Sequence, residues 1–186
     1  MKSFIQYGFT LFLIVAVACG ILAWVNTQTE PKIKENLRLA EENARKIVFS
    51  DETKFEFVEN ELLNYYKAYD VNNQLIGYAF VASGKGYSGE ILTMVGLKKD
   101  LSINKITILS QTETPGLGDN CKKPEFSDKF IGKNKAELKV DKDGGNLSSI
   151  TGATITTRTV TNSIKQYIEI LESVLNKNTT GGSKWV

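Results

Sequence analysis

The chain contains no histidine. That absence removes the commonest general base and the commonest metal ligand. Cysteine is nearly as scarce. Cys19 lies in an apolar run and Cys121 in a polar stretch, so no disulfide between them is expected. Zinc and iron–sulfur centres need clustered ligands, and the sequence clusters none, so no metal site is expected. An excess of one charge is missing too. Lys2 is the only charged residue before Glu30, and the rest of the chain carries 22 basic and 21 acidic residues, a net of +1. A nucleic-acid surface would need clustered Lys and Arg, so no nucleic acid is expected as a partner. Redox chemistry in such a chain requires a borrowed cofactor.

What is present begins with FIQYGFTLFLIVAVACGILAWV, from Phe4 to Val25, which has no charged residue. A helix of this length spans ~33 Å, enough for a hydrocarbon core of ~30 Å. Trp24 stands near one end, where interfacial aromatics are favoured. A cleaved signal peptide would have a shorter apolar stretch and an A-x-A site. A lipoprotein signal at Cys19 would want Leu where Ala16 stands. The reading is therefore an uncleaved anchor over residues 1–28, with membrane lipid as its partner. Lys32, Lys34 and Arg38 follow it and Lys2 precedes it, so the positive-inside rule leans weakly toward a cytoplasmic C-terminal domain.

Pro31 opens a second segment, residues 29–50. Ile33, Leu37, Ala40, Ala44 and Ile47 recur there at helical spacing, which predicts an amphipathic stem helix. From Phe55 the period changes. Tyr65 to Val71 and Leu75 to Ala82 read as strands around Asn72-Asn73, and Ile91 to Leu97 and Ile103 to Leu109 as a second pair. A short helix is expected at Phe126 to Ile131 and a short strand at Leu138 to Val140. Val160, Ile164, Tyr167, Ile168, Leu171 and Leu175 predict a strong C-terminal helix. The class is α+β: one transmembrane helix, then a domain of antiparallel sheet with flanking helices over residues 51–176. Residues 177–186 are expected as a flexible tail.

Three loops stand out. SGKGYSGE, Ser83 to Glu90, lacks the spacing of a phosphate loop, and a plain turn is the stronger reading taken alone. In TETPGLGD, Pro115 and Gly116 fit the centre of a type II turn. Leu117 and Gly118 leave a smooth surface on which a flat ring could lie, with Glu113 and Thr114 at its edge, but taken alone a tight turn whose Asp119 starts a short helix is the stronger reading. In SSITGATITTRT, residues 148–159, seven of twelve residues are Ser or Thr. Thr154 follows Gly152 and Ala153, so small neighbours leave its hydroxyl accessible. It lies just before the last helix, whose N-terminus favours a phosphate, and Arg158 could add a charge-assisted bond. The competing reading is a helix cap at Thr156 or Thr157.

The three loops together, behind one apolar helix, resemble the FMN-binding domain family. More narrowly they are similar to the G subunit of Rnf-type ion-translocating ferredoxin:NAD oxidoreductases, with the C subunit of sodium-pumping NADH:quinone reductases as a relative. The resemblance implies that residues 51–176 are an FMN-binding domain. It implies one FMN joined through a phosphoester to the last Thr of [ST]GAT, which is Thr154, by a separate flavin transferase. Thr151, Gly152 and Ala153 would shape that turn, and Thr156 and Thr157 would cap the helix or bind the phosphate. Tyr87 with Glu113, Thr114, Pro115, Gly116, Leu117 and Gly118 would line the isoalloxazine and ribityl chain. No catalytic residue is implied. The family motif commonly begins with Asp six residues before the modified Thr, where this chain has Ser148. The implied role is an electron carrier between membrane iron–sulfur and flavin subunits of a cation-translocating complex, moving Na+ or H+. The implied place is the plasma membrane of a bacterium or archaeon, single-pass, with the flavin domain outside the cytoplasm. A stand-alone anchored flavoprotein and a flavin-free assembly module are the alternatives.

Overall fold

The computed structural model describes residues 2–181, and side chains over residues 4–177. Its element order is α1 (Lys2–Val48), β1 (Lys54–Val58), β2 (Tyr65–Tyr69), β3 (Leu75–Lys85), β4 (Glu90–Lys98), β5 (Ile103–Ser110), α2 (Pro124–Ser127) and α3 (Thr154–Gly181). The predicted anchor and stem are thus one continuous helix, with Pro31 inside it. Proline costs that helix one backbone donor, so the Thr27 carbonyl four residues earlier loses its usual partner. The chain divides into two compact units, residues 1–40 and residues 41–186.

In the first unit the most apolar stretch has mean hydropathy 2.5, and none of it is buried. A helix apolar on every side finds its natural solvent in lipid.

The second unit is built on a five-stranded antiparallel meander in the order β1-β2-β3-β4-β5. Its centre is the long β3–β4 hairpin, which pairs from Gly77↔Lys98 to Lys85↔Glu90. Period-2 alternation sorts the side chains to two faces. Tyr78, Phe80 and Ala82 of β3, with Ile91, Val95 and Leu97 of β4, join Val160, Ile164, Ile168 and Leu171 of α3 in the main core. On the other face Ala79 and Met94 pack with Ala44 and Val48 from the last turns of α1. The Asn104 amide donates to the Val48 carbonyl at 2.5 Å and so closes the C-terminal end of α1. Phe80 stacks on Tyr167 of α3, ring centroids 6.0 Å apart. Each fully buried aliphatic side chain of α3 contributes roughly 1.5–3 kcal/mol.

The α+β expectation holds, and so do both hairpins. β2 stops at Tyr69, earlier than the predicted Val71. The Asp70 carboxylate accepts from the N–H groups of Asn72 and Gln74 and turns the chain there, with Asn73 at φ +61°. The predicted strand at Leu138 to Val140 is absent. Turns at Lys135–Glu137 and Asp141–Asp143 crowd it from both sides, and one bridge from Val140 to Leu147 is all that forms. The predicted helix near Phe126 begins earlier, as α2, and runs into a 3₁₀ turn at Asp128–Phe130. α3 continues to Gly181, so helix occupies the start of the segment expected as a flexible tail. Residues 182–186 of that tail lie outside the described residues.

Candidate functional site

The three loops singled out by sequence meet in space, and one carboxylate joins them. Glu113 is 5% exposed. One of its oxygens accepts from the backbone N–H of Ser88 at 2.8 Å, and the other accepts from the Thr156 hydroxyl. The Gly-rich hairpin, the TETPGLG loop and the first turn of α3 are therefore tied at a single group. Glycine makes the approach feasible. A Cβ at Gly86 would lie 2.6 Å from Glu113 Oε1, and one at Gly118 would lie 2.7 Å from both Glu113 Oε2 and Thr156 Oγ1. The turn reading of SGKGYSGE is correct, since Gly86 to Gly89 closes the β3–β4 hairpin with a 2.7 Å bond. Its glycines also serve the site.

Two further turns shape the place where these loops meet. Leu117 N–H donates to Thr114 C=O at 3.1 Å, with Gly116 at φ +78°. Ala153 N–H donates to Ile150 C=O at 2.9 Å, with Gly152 at φ +75°. Both are type II turns with glycine in the left-handed position that such turns require. They bound a cleft of about 600 Å³ lined by Tyr87, Glu113, Thr114, Leu117, Gly118, Gly152, Ala153, Thr154, Ile155 and Thr156. Nine of those ten residues were expected from sequence. Ile155 was missed; its signal was an apolar residue set among hydroxyls. Gly116 and Thr151 line a neighbouring groove that shares Leu117. Pro115 and Thr157 line neither.

The hydroxyls divide sharply. Thr156 is spent on Glu113, Thr159 on the Lys85 carbonyl at 3.0 Å, and Thr161 on the Thr157 carbonyl at 2.8 Å. Thr157 Oγ1 accepts from Ile150 N–H at 3.0 Å and donates to the Ala153 carbonyl at 3.2 Å. Thr156 and Thr157 are each 1% exposed and lie inside the first turn, so neither caps the helix. Both hydroxyls are already engaged within the protein, Thr156 with Glu113 and Thr157 with the Ala153 carbonyl. Among the described residues, no hydrogen bond engages the hydroxyl of Thr151 or of Thr154, and only Thr154 lines the cleft. Thr154 is also the first residue of α3, preceded by Ala153, which has no side-chain oxygen to satisfy the first N–H groups.

Arg158 is engaged elsewhere. It forms a two-pronged ion pair with Asp143, at 2.8 and 2.7 Å, which braces the loop before the motif. That loop is braced again by Lys129, which donates to the Ser148 carbonyl at 3.1 Å. Both cysteines are free. Burial pushes the Cys121 thiol up to about 11, helped by the negative charges of Asp119 and Glu113.

The family description "FMN-binding domain" matches residues 86–169, which take in the first loop from Gly86 onward and the other two loops whole, and "RnfG N-terminal region" matches residues 1–47. The fold and cleft thus define a protein with an FMN-binding domain behind an apolar N-terminal helix. The G subunit of the Na(+)-translocating ferredoxin:NAD(+) oxidoreductase complex of Acetobacterium woodii is 33% identical over 197 residues, covering 93% of this chain and 94% of the relative. The G subunit of the proton-translocating ferredoxin:NAD(+) oxidoreductase complex of Clostridium ljungdahlii is 34% identical over 152 residues, covering 80% and 81%. The chain belongs to this family of G subunits. Its fold is shared with a crystal structure of the C subunit of Na(+)-translocating NADH-quinone reductase from Parabacteroides distasonis, at TM-score 0.57 and 22% identity over 77% of this chain and 96% of that one.

Proposed function

We propose that this chain is a membrane-anchored electron-carrying subunit of an ion-translocating ferredoxin:NAD oxidoreductase complex, holding one FMN through a phosphoester on Thr154. One observation carries the reading. Of the six threonines between Thr151 and Thr161, Thr154 alone combines an uncommitted hydroxyl with a place in the cleft.

The residues present fit such a group. A cleft of about 600 Å³ lies within the range of cofactor sites, roughly 300–1,000 Å³. Tyr87, Leu117 and Ile155 are exposed apolar or aromatic side chains on its lining, suited to covering a flat ring and keeping water from it. The uncapped first turn of α3 offers N–H groups and the positive end of a 28-residue helix to a phosphate ester on Thr154. When bound, FMN supplies the electron-carrying chemistry that a chain without histidine or a thiol pair lacks. A covalent link keeps the carrier in place between transfers.

The remaining assignments are those the family resemblance implies. Other membrane subunits would supply and remove electrons, and a flavin transferase would form the ester. The helix at residues 4–25 would cross the plasma membrane once, with the domain on the extracytoplasmic side. The positive charges after the helix pull the other way, but a folded domain translocates largely regardless of a difference that small. Ser148 and Ser149 stand in a loop already braced by Lys129 and Asp143. This supports recognition of the motif by shape, although Ser148 replaces the usual Asp.

The test is coexpression of the full chain with a flavin transferase, followed by ultraviolet fluorescence of a denaturing gel. The wild-type band should fluoresce and the Thr154→Val band should be dark. Fluorescence in both would move the acceptor elsewhere. Darkness in both, beside a positive control, would remove the carrier reading. Copurification of other membrane subunits then separates a member of a complex from a stand-alone flavoprotein.

A further inference from the structure

Glu113 is costlier than the cleft's shape requires. A buried carboxylate is expensive unless paired, and among the described residues no lysine or arginine forms an ion pair with it. Two neutral donors, Ser88 N–H and the Thr156 hydroxyl, are what hold it. Gly86 and Gly118 are both shaped around its oxygens. An amide would tie the same loops without the charge. A carboxylate has about four acceptor sites on its two oxygens, so capacity remains beyond these two bonds. The same side chain lines the cleft.

We propose that Glu113 is the electrostatic positioning residue of the site: its buried carboxylate fixes the three loops and holds down the reduction potential of the flavin in the cleft. This rests on the FMN reading above. A fixed negative charge in a poorly solvated wall opposes the arrival of electrons, and little solvent screens it. The Thr156 hydroxyl offsets part of that charge by donating to it. Glu113 and Thr156 therefore act with opposite signs on one quantity, although both also support the fold.

That opposition gives the test. The full chain is coexpressed with a flavin transferase as wild type, Glu113→Gln and Thr156→Val, and the midpoint potential of each is titrated spectroscopically. Glu113→Gln removes the charge while its oxygen can accept from Ser88 N–H and its NH2 can donate to a reversed Thr156 hydroxyl, so its potential should move positive. Thr156→Val keeps shape and charge but removes the offsetting donor, so its potential should move negative. Shifts of the same sign, or none, overturn the proposal, because loosening of the cleft would move both variants alike. A dark Glu113→Gln band beside a fluorescent wild type also overturns it, since Glu113 would then be needed for attachment. A dark wild type fails the FMN reading itself and takes the proposal with it.

Discussion

Over its first forty residues α1 leaves Phe9, Leu13, Val17, Ile21 and Trp24 between 51% and 67% exposed, whereas α3 buries Val160, Ile164, Ile168 and Leu171 completely. Both helices are long and rich in apolar residues. The difference lies in arrangement. α1 is apolar around its whole circumference through residue 25, while α3 is apolar along one stripe and carries Asn162, Gln166 and Glu169 on its exposed side. An all-round apolar surface asks for an apolar solvent. A stripe asks for one partner surface, which here is the sheet. The distinction matters for function, because α3 can hold its first turn in a fixed place only if its stripe is pinned.

One buried charge should break the comparison most strongly. Ile168→Asp places an unpaired carboxylate in the main core, a class of change that costs more than ~4 kcal/mol. The expected outcome is loss of the cooperative thermal transition by circular dichroism. Val17→Asp puts the same charge in α1 and should leave that transition unchanged in detergent. Its cost of roughly 2.5–3.5 kcal/mol falls instead on membrane insertion, read as a smaller membrane fraction. Equal melting losses in both variants would mean that α1 is packed against protein rather than free to meet lipid.

The next effect sharpens the comparison at the start of α3. Gly118→Ala sets a methyl 2.7 Å from Thr156 Oγ1 and from Glu113 Oε2, both buried. Overpacking of this kind costs roughly 1–3 kcal/mol. The expected result is a lower Tm with the core of α3 still helical, together with weaker flavin fluorescence on the gel. Gly116→Ala should instead report strain alone, since nothing lies within 4 Å of its added methyl but its φ is +78°.

These cases also explain what was legible in the sequence. The apolar run rests on length and composition, and both hairpins and the stripe of α3 on periodicity, all of them local features that survive folding intact. The TPGL turn was legible because Pro115 and Gly116 fit its centre by themselves. The tie at Glu113 was not legible, because it depends on a backbone N–H 25 residues away and a hydroxyl 43 residues away. The capping role offered for Thr156 and Thr157 was misjudged for a related reason. A run of hydroxyls before a helix signals a cap, but the helix begins at Thr154, which carries both threonines past the capping position to buried places inside the first turn. Val140 shows the limit for short strands: alternation over three residues cannot form a ladder when turns close in from each side.

The smallest expected effect concerns Arg158, which the sequence offered as a phosphate ligand and which the structure pairs with Asp143. The hydrogen bonds and charge of Arg158 hold the Asp143 carboxyl below its ordinary value. A group depressed in the folded state stabilises the fold above its unfolded value and loses that contribution as pH falls through the folded one. Asp143→Asn should therefore lower Tm slightly at pH 7. The difference from wild type should shrink as pH falls below about 4, the ordinary carboxylate range. Both partners are partly exposed, so salt should shrink it as well. If Arg158 served a bound phosphate instead, Asp143→Asn would free the guanidinium and flavin attachment would rise. Unchanged fluorescence of the gel band, with a Tm difference that fades in acid, is the outcome expected of a brace. That outcome would leave the first turn of α3, and not a side-chain cation, as the feature that receives the phosphate.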